Sequence, residues 1–181
     1  MVASIWLQLG GEQNESLRSL IASFATKHGT MPFQPHLTVC ALPNATEAIG
    51  DAAAEFVASC RLLPLTVRKV GISTSTTVPF RAVIIDVENT PSLRSFREAL
   101  QRITGASELI TPHISLLYTI DAREQRTEWS ASEERLRAIA EEAAPRILAT
   151  ELVLDDPVVV TPDGDWTNIK SWKTVRHLRR K

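Results

Sequence analysis

Apolar positions alternate through residues 3–9, with Ile5, Leu7 and Leu9 on one face and Ser4, Trp6 and Gln8 on the other, which predicts a strand. Gly10 and Gly11 end it. The period then lengthens. Leu17, Leu20, Ile21 and Phe24 form one stripe of a helix over 14–28, with Gly29 as its C′ residue. Pro32 and Pro35 lead into a second strand, His36 to Leu42. A helix over 46–60 buries Ala48, Ile49, Ala52, Phe56 and Val57, and strand-like segments follow at 63–73 and 79–87. Pro91 opens an amphipathic helix, Ser92 to Thr104, with Leu93, Phe96, Leu100 and Ile103 on its apolar face and Gly105 at its end. A strand over 110–118 comes next, then a charged stretch, 123–143, helical in its second half before Pro145. Two last strands, 147–154 and 166–176, pair through the turn-rich Thr161-Pro-Asp-Gly-Asp165.

Strand, helix, strand thus occurs twice, in 3–42 and in 81–118. Trp6 lies 30 positions before His36, and Val83 lies 30 before His113. This repeat predicts an α+β fold: one domain over 1–181 made of two pseudo-symmetric lobes, its two antiparallel sheets and flanking helices set around a central cleft. A chain of 181 residues is long enough to bury such a core.

Composition narrows the function more than the fold. The formal net charge of −1 argues against coating nucleic acid by bulk charge, so any bound anion must be captured locally. Two cysteines, Cys40 and Cys60, are too few for a disulfide scaffold. No run approaches the roughly 20 apolar residues that span a bilayer, and the first residues carry no basic leader. The expectation is a soluble, cytoplasmic monomer without a membrane partner.

The corresponding strands of the two halves carry one pattern, Pro35-His36-Leu37-Thr38-Val39 and Pro112-His113-Ile114-Ser115-Leu116. Residues two apart share a strand face, so His36 projects with Thr38 and His113 with Ser115. A lone His followed by a hydroxyl two positions on is ordinarily structural. At ordinary composition a given His falls in such a frame roughly 3% of the time, so the doubled motif argues for function. Two imidazoles facing one groove form an acid/base pair near neutral pH. The hydroxyls of Thr38 and Ser115 are donors suited to phosphate oxygens. Trp6, a large aromatic on a polar strand face, suits a base-stacking wall better than a core.

These residues resemble the 2H phosphoesterase superfamily, named for its two His-x-Thr/Ser motifs. Within it the chain is most similar to the cyclic nucleotide phosphodiesterase family, through Ser4-Ile-Trp-Leu7, Pro35-His-Leu-Thr-Val39 and Pro112-His-Ile-Ser-Leu-Leu-Tyr118. The resemblance implies hydrolysis of a nucleoside 2′,3′-cyclic phosphate or ADP-ribose 1″,2″-cyclic phosphate to a phosphomonoester, without metal or cofactor. It implies His36 and His113 as the catalytic acid/base pair; the motif does not decide which is the base, and the working assignment has His113 activate water and His36 protonate the departing oxygen. It also implies Thr38 and Ser115 as phosphate ligands, and Tyr118, Trp6 and Phe80 as aromatics about the nucleotide. Strict alternation sends Tyr118 to the wrong face, so a strand end or a bulge has to re-aim it. The expected partner is a small nucleotide-like cyclic phosphate. Short RNA ends, an RNA 2′,5′-ligase-like reaction and a nucleotide-binding module without turnover are the alternatives.

Other candidates have plainer readings. His28 sits at a helix end, where the dipole favours its charge. His177 lies in a basic tail, 170–181, read as a solvated edge. Arg81 is a phosphate candidate whose default is a surface ion pair. Cys40 shares a strand face with Thr38 but reads as a small buried thiol. Two His without clustered Cys or carboxylates do not build a zinc site.

Overall fold

The computed structural model describes residues 2–42, 44–106, 110–120, 131–164 and 166–178. The first strand, β1 (Ala3–Leu9), runs into helix α1 (Gly11–His28), which Gly29 closes in the left-handed region at φ 69. Strand β2 (His36–Leu42) and helix α2 (Glu47–Ser59) follow. Then come β3 (Leu65–Thr74), β4 (Val83–Val87), α3 (Pro91–Thr104) and β5 (His113–Leu117). Helix α4 (Glu133–Ala143), β6 (Glu151–Thr161) and β7 (Lys173–His177) complete the order. Thr46, Thr90 and Ser132 cap α2, α3 and α4, each hydroxyl accepting a backbone N–H three residues on.

The α+β class is as the pattern predicts, and every paired strand is antiparallel. The two expected sheets are joined into one seven-stranded sheet, β1-β2-β5-β4-β3-β6-β7, and β1 also pairs with β6. Six strands therefore close a ring, with β7 continuing along β6 where β3 leaves it. The join between the two repeated halves is narrow: β2 meets β5 through one registered pair, Leu37 with Ile114. Leu37 and Ile114 occupy the same place in their two motifs, and both are fully buried in the core. That core is lined from outside by α1 (Leu17, Leu20, Ile21, Phe24) and α3 (Leu93, Phe96, Leu100).

Three segments differ from the pattern. Residues 79–81 form a 3-10 turn rather than the start of a strand, because Pro79 cannot donate to a ladder. Strand β6 lies further along than 147–154 and runs straight through Pro157. A register shift between Gln8 and Leu9 on β1 leaves Asp155 as a bulge beside it, and β6 changes partner from β3 to β7 in this region. Residues 166–172, expected as strand, form a loop with a 3-10 turn at Ile169–Ser171. Helix α4 is the one expected in the second half of 123–143; residues 123–130 of that stretch, Asp165 of the expected turn and tail residues 179–181 lie outside the described residues.

Candidate active site

The β2–β5 pair fixes the site. With Leu37 opposite Ile114, the next positions in register bring His36 opposite Ser115 and Thr38 opposite His113. Opposed residues share a face, so all four side chains leave the core together. They line a cavity of about 240 Å³, and Trp6, Phe80 and Tyr118 line it too. The structure thus brings together all seven residues singled out in the sequence.

Each imidazole is held the same way. His36 Nδ1 lies 2.7 Å from the Gln34 carbonyl oxygen, and His113 Nδ1 lies 2.7 Å from that of Thr111. A carbonyl can only accept, so Nδ1 carries the hydrogen in both rings and Nε2 is left for chemistry. Their surroundings differ. His36 is buried at 6% exposure, with the Trp6 indole stacked on its face at 3.6 Å and 8°. Burial pushes its pKa down to about 4, against a raising effect of the Gln34 carbonyl. His113 is half-buried, and burial lowers its pKa too.

The hydroxyls also differ. Thr38 is half-buried beside His113 on the cavity wall. Ser115 is buried and donates its hydrogen to the Phe80 carbonyl at 2.8 Å. Burial raises the pKa of the Tyr118 phenol, against a lowering effect of Ser115. Ser115 must turn from Phe80 to donate to a ligand.

Two β-bulges aim the aromatics. A register shift between Ile5 and Trp6 pairs Trp6 with Thr38, putting the indole on the cavity face. A shift between Val83 and Ile84, together with the end of β5 at Leu117, re-aims Tyr118. The first bulge also separates Cys40 from Thr38. Cys40 is fully buried in the core, its thiol pushed up to about 11 by burial.

Sequence reasoning undervalued Arg81 and missed Trp166 and Trp172, which line the same cavity. Arg81 is half-buried and forms no ion pair among the described residues, so the surface-pair reading does not hold. Trp172 donates its indole N–H to the Trp166 carbonyl at 2.9 Å and packs edge-on against Trp6 at 5.3 Å. A pair of tryptophans in a turn-rich segment was the available signal. His28 is also not as expected: burial, Arg135 and Lys27 lower its pKa, and its buried Nε2 has no hydrogen-bond partner among the described residues. His177 pairs with Asp156 at 3.1 Å. Among the described residues, no three His, Cys, Asp or Glu are grouped to hold a metal, and no helix is long and apolar enough to cross a membrane.

No family model and no curated protein sequence matches this chain. Solved structures do. Escherichia coli LigT complexed with phosphate matches with a TM-score of 0.54 at 15% identity, over 97% of this chain and 94% of that one. The chain has the LigT fold. LigT complexed with 3′-AMP gives 0.58 at 12% identity, over 97% and 95%. A structure described as a phosphoesterase gives 0.60 at 13% identity, over 97% and 96%.

Proposed function

We propose that this protein is a 2H-type phosphoesterase that opens a cyclic phosphodiester of a small nucleotide. One observation carries the reading: two imidazoles, each locked through Nδ1 on a carbonyl, set two Nε2 atoms around one cavity that the Arg81 guanidinium also lines. LigT complexed with phosphate and LigT complexed with 3′-AMP, which share this fold, fit the same reading.

In the proposed reaction, water attacks phosphorus while its proton passes to His36 Nε2. The bond from phosphorus to one ribose oxygen breaks, and His113 Nε2 gives its proton to that oxygen. The product is a phosphomonoester, and the pair ends with its protons exchanged. This reverses the working assignment, which the motif left open, on a physical ground. The base must begin neutral and the acid protonated, and His36 is the more deeply buried, held at about 4. Thr38 and Arg81 donate to the non-bridging oxygens, where charge develops. Trp6 and Tyr118 are only 4% and 3% exposed, so a base finds ring surface on Phe80, Trp166 and Trp172 instead.

Incubation with 2′,3′-cyclic AMP and ADP-ribose 1″,2″-cyclic phosphate in excess EDTA tests the activity. The expected result is a phosphomonoester, with His36→Ala and His113→Ala each slower by about 10²–10⁴. No turnover of either substrate, or strict dependence on added metal, overturns it. A 4-nitrophenyl phosphodiester, whose leaving group needs no proton, separates the roles: His113→Ala should recover on it and His36→Ala should not.

A further inference from the structure

The two imidazoles keep different electrostatic company. Around His36 stand rings: Trp6 on its face, with Phe33 and Trp172 edge-on at 6.5 and 6.4 Å. Around His113 stands a carboxylate. Asp86 of β4 is directly opposite His113 of β5 in the ladder. Opposed side chains in an antiparallel pair lie on one face with Cβ atoms about 5 Å apart. On the far side of Asp86, a register shift in β3 between Lys69 and Gly71 sets Gly71 opposite it, with no side chain to compete for the carboxylate. Ser73, further along β3, donates its hydroxyl to Asp86 Oδ1 at 3.0 Å. Asp86 is half-buried and forms no ion pair with Lys or Arg among the described residues.

We propose that Asp86, oriented by Ser73, is a positioning residue that favours the protonated form of His113, making it the proton donor of the pair. The proposal rests on the two-histidine reading above and adds what sets the direction of proton flow. Several groups act on His113. Burial lowers its proton affinity most, and the Thr111 carbonyl raises it. Arg81, from the turn before β4, and Arg97, from α3, also lower it, whereas Asp86 raises it. His36 on β2 repels it when both carry charge. Helix α1, packed behind β5, buries Leu17, Leu20, Ile21, Phe24 and Ala25 and brings no buried charge. Among these groups Asp86 is the one negative charge. An imidazole between two guanidiniums would shed its proton without it.

The test is an NMR titration of the His113 imidazole in the substrate-free protein, its signals assigned by their loss in His113→Ala. Asp86→Asn is expected to lower His113 proton affinity about threefold, and Ser73→Ala to lower it less. The alkaline limb of kcat/KM for 2′,3′-cyclic AMP should move to lower pH with them. Asp86→Thr, a good strand former, serves if Asp86→Asn does not fold. In the wild-type protein, the Asp86 carboxyl carbon should show an inflection at the His113 midpoint. An unshifted or raised His113 titration in a folded variant, or no such inflection, overturns the role of Asp86. Turnover with an unshifted His113 sinks this role alone. A shifted His113 without turnover of any cyclic phosphate sinks the hydrolase reading and leaves the pairing.

Discussion

A single bond decides which nitrogen of each imidazole can react. Because Nδ1 donates to the carbonyl two residues earlier in both motifs, the strand itself fixes the tautomer, and the preceding Pro35 and Pro112 stiffen the approach. What differs is charge. His36 must be neutral to take a proton, so kcat/KM should rise as pH climbs through about 4. His113 must be protonated to give one, so kcat/KM should fall as pH rises through its own depressed pKa. The expected profile is a bell centred on the acid side of neutral, its limbs belonging to the coupled pair. A kcat/KM higher at pH 8 than at pH 5.5 would contradict this ordering.

At the level of elements, the bulges do more for the site than the strands that contain them. The pair Pro35–Val39 and Pro112–Leu116 could be read from alternation alone, and β2 runs as expected over His36–Leu42. Alternation cannot reveal a register shift, because the shift depends on the partner strand. That is why Cys40 shares a face with Thr38 on paper yet is buried in the core. It is also why Tyr118 reaches the cavity despite its odd spacing. The Trp166 and Trp172 loop was hidden for a different reason: tryptophan has high strand propensity, and only tertiary packing overrides it. The Ser115 hydroxyl ties β5 to the turn before β4 through the Phe80 carbonyl. Ser115→Ala should therefore cost about 1 kcal/mol of stability, read as a lower urea midpoint at unchanged slope. A midpoint equal to wild type would mean this bond carries no net stability.

The whole molecule inherits the cost of burying neutral imidazoles. His36 has a folded pKa of about 4 against 6.5 unfolded, so the unfolded chain binds its proton first. The stability tied to His36 is full above pH 6.5 and is lost as pH falls through about 4, a change of about 3 kcal/mol. His113 and His28 act in the same direction. Urea unfolding at pH 7 and pH 4.5 should show a marked fall for wild type and a flatter dependence for His36→Gln; equal slopes with pH would refute the assignment. The closed ring of strands has a different consequence. Strand β1 is registered with β2 at six positions and with β6 at six, while β2 is registered with β5 at one. Proton donor and acceptor thus face each other across the weakest join in the ring. Backbone amides beside Leu37 and Ile114 should exchange with deuterium sooner than those of the β1–β6 ladder. A phosphate gripped by both imidazoles then acts as a rivet through that join, and its binding should slow exchange there before anywhere else.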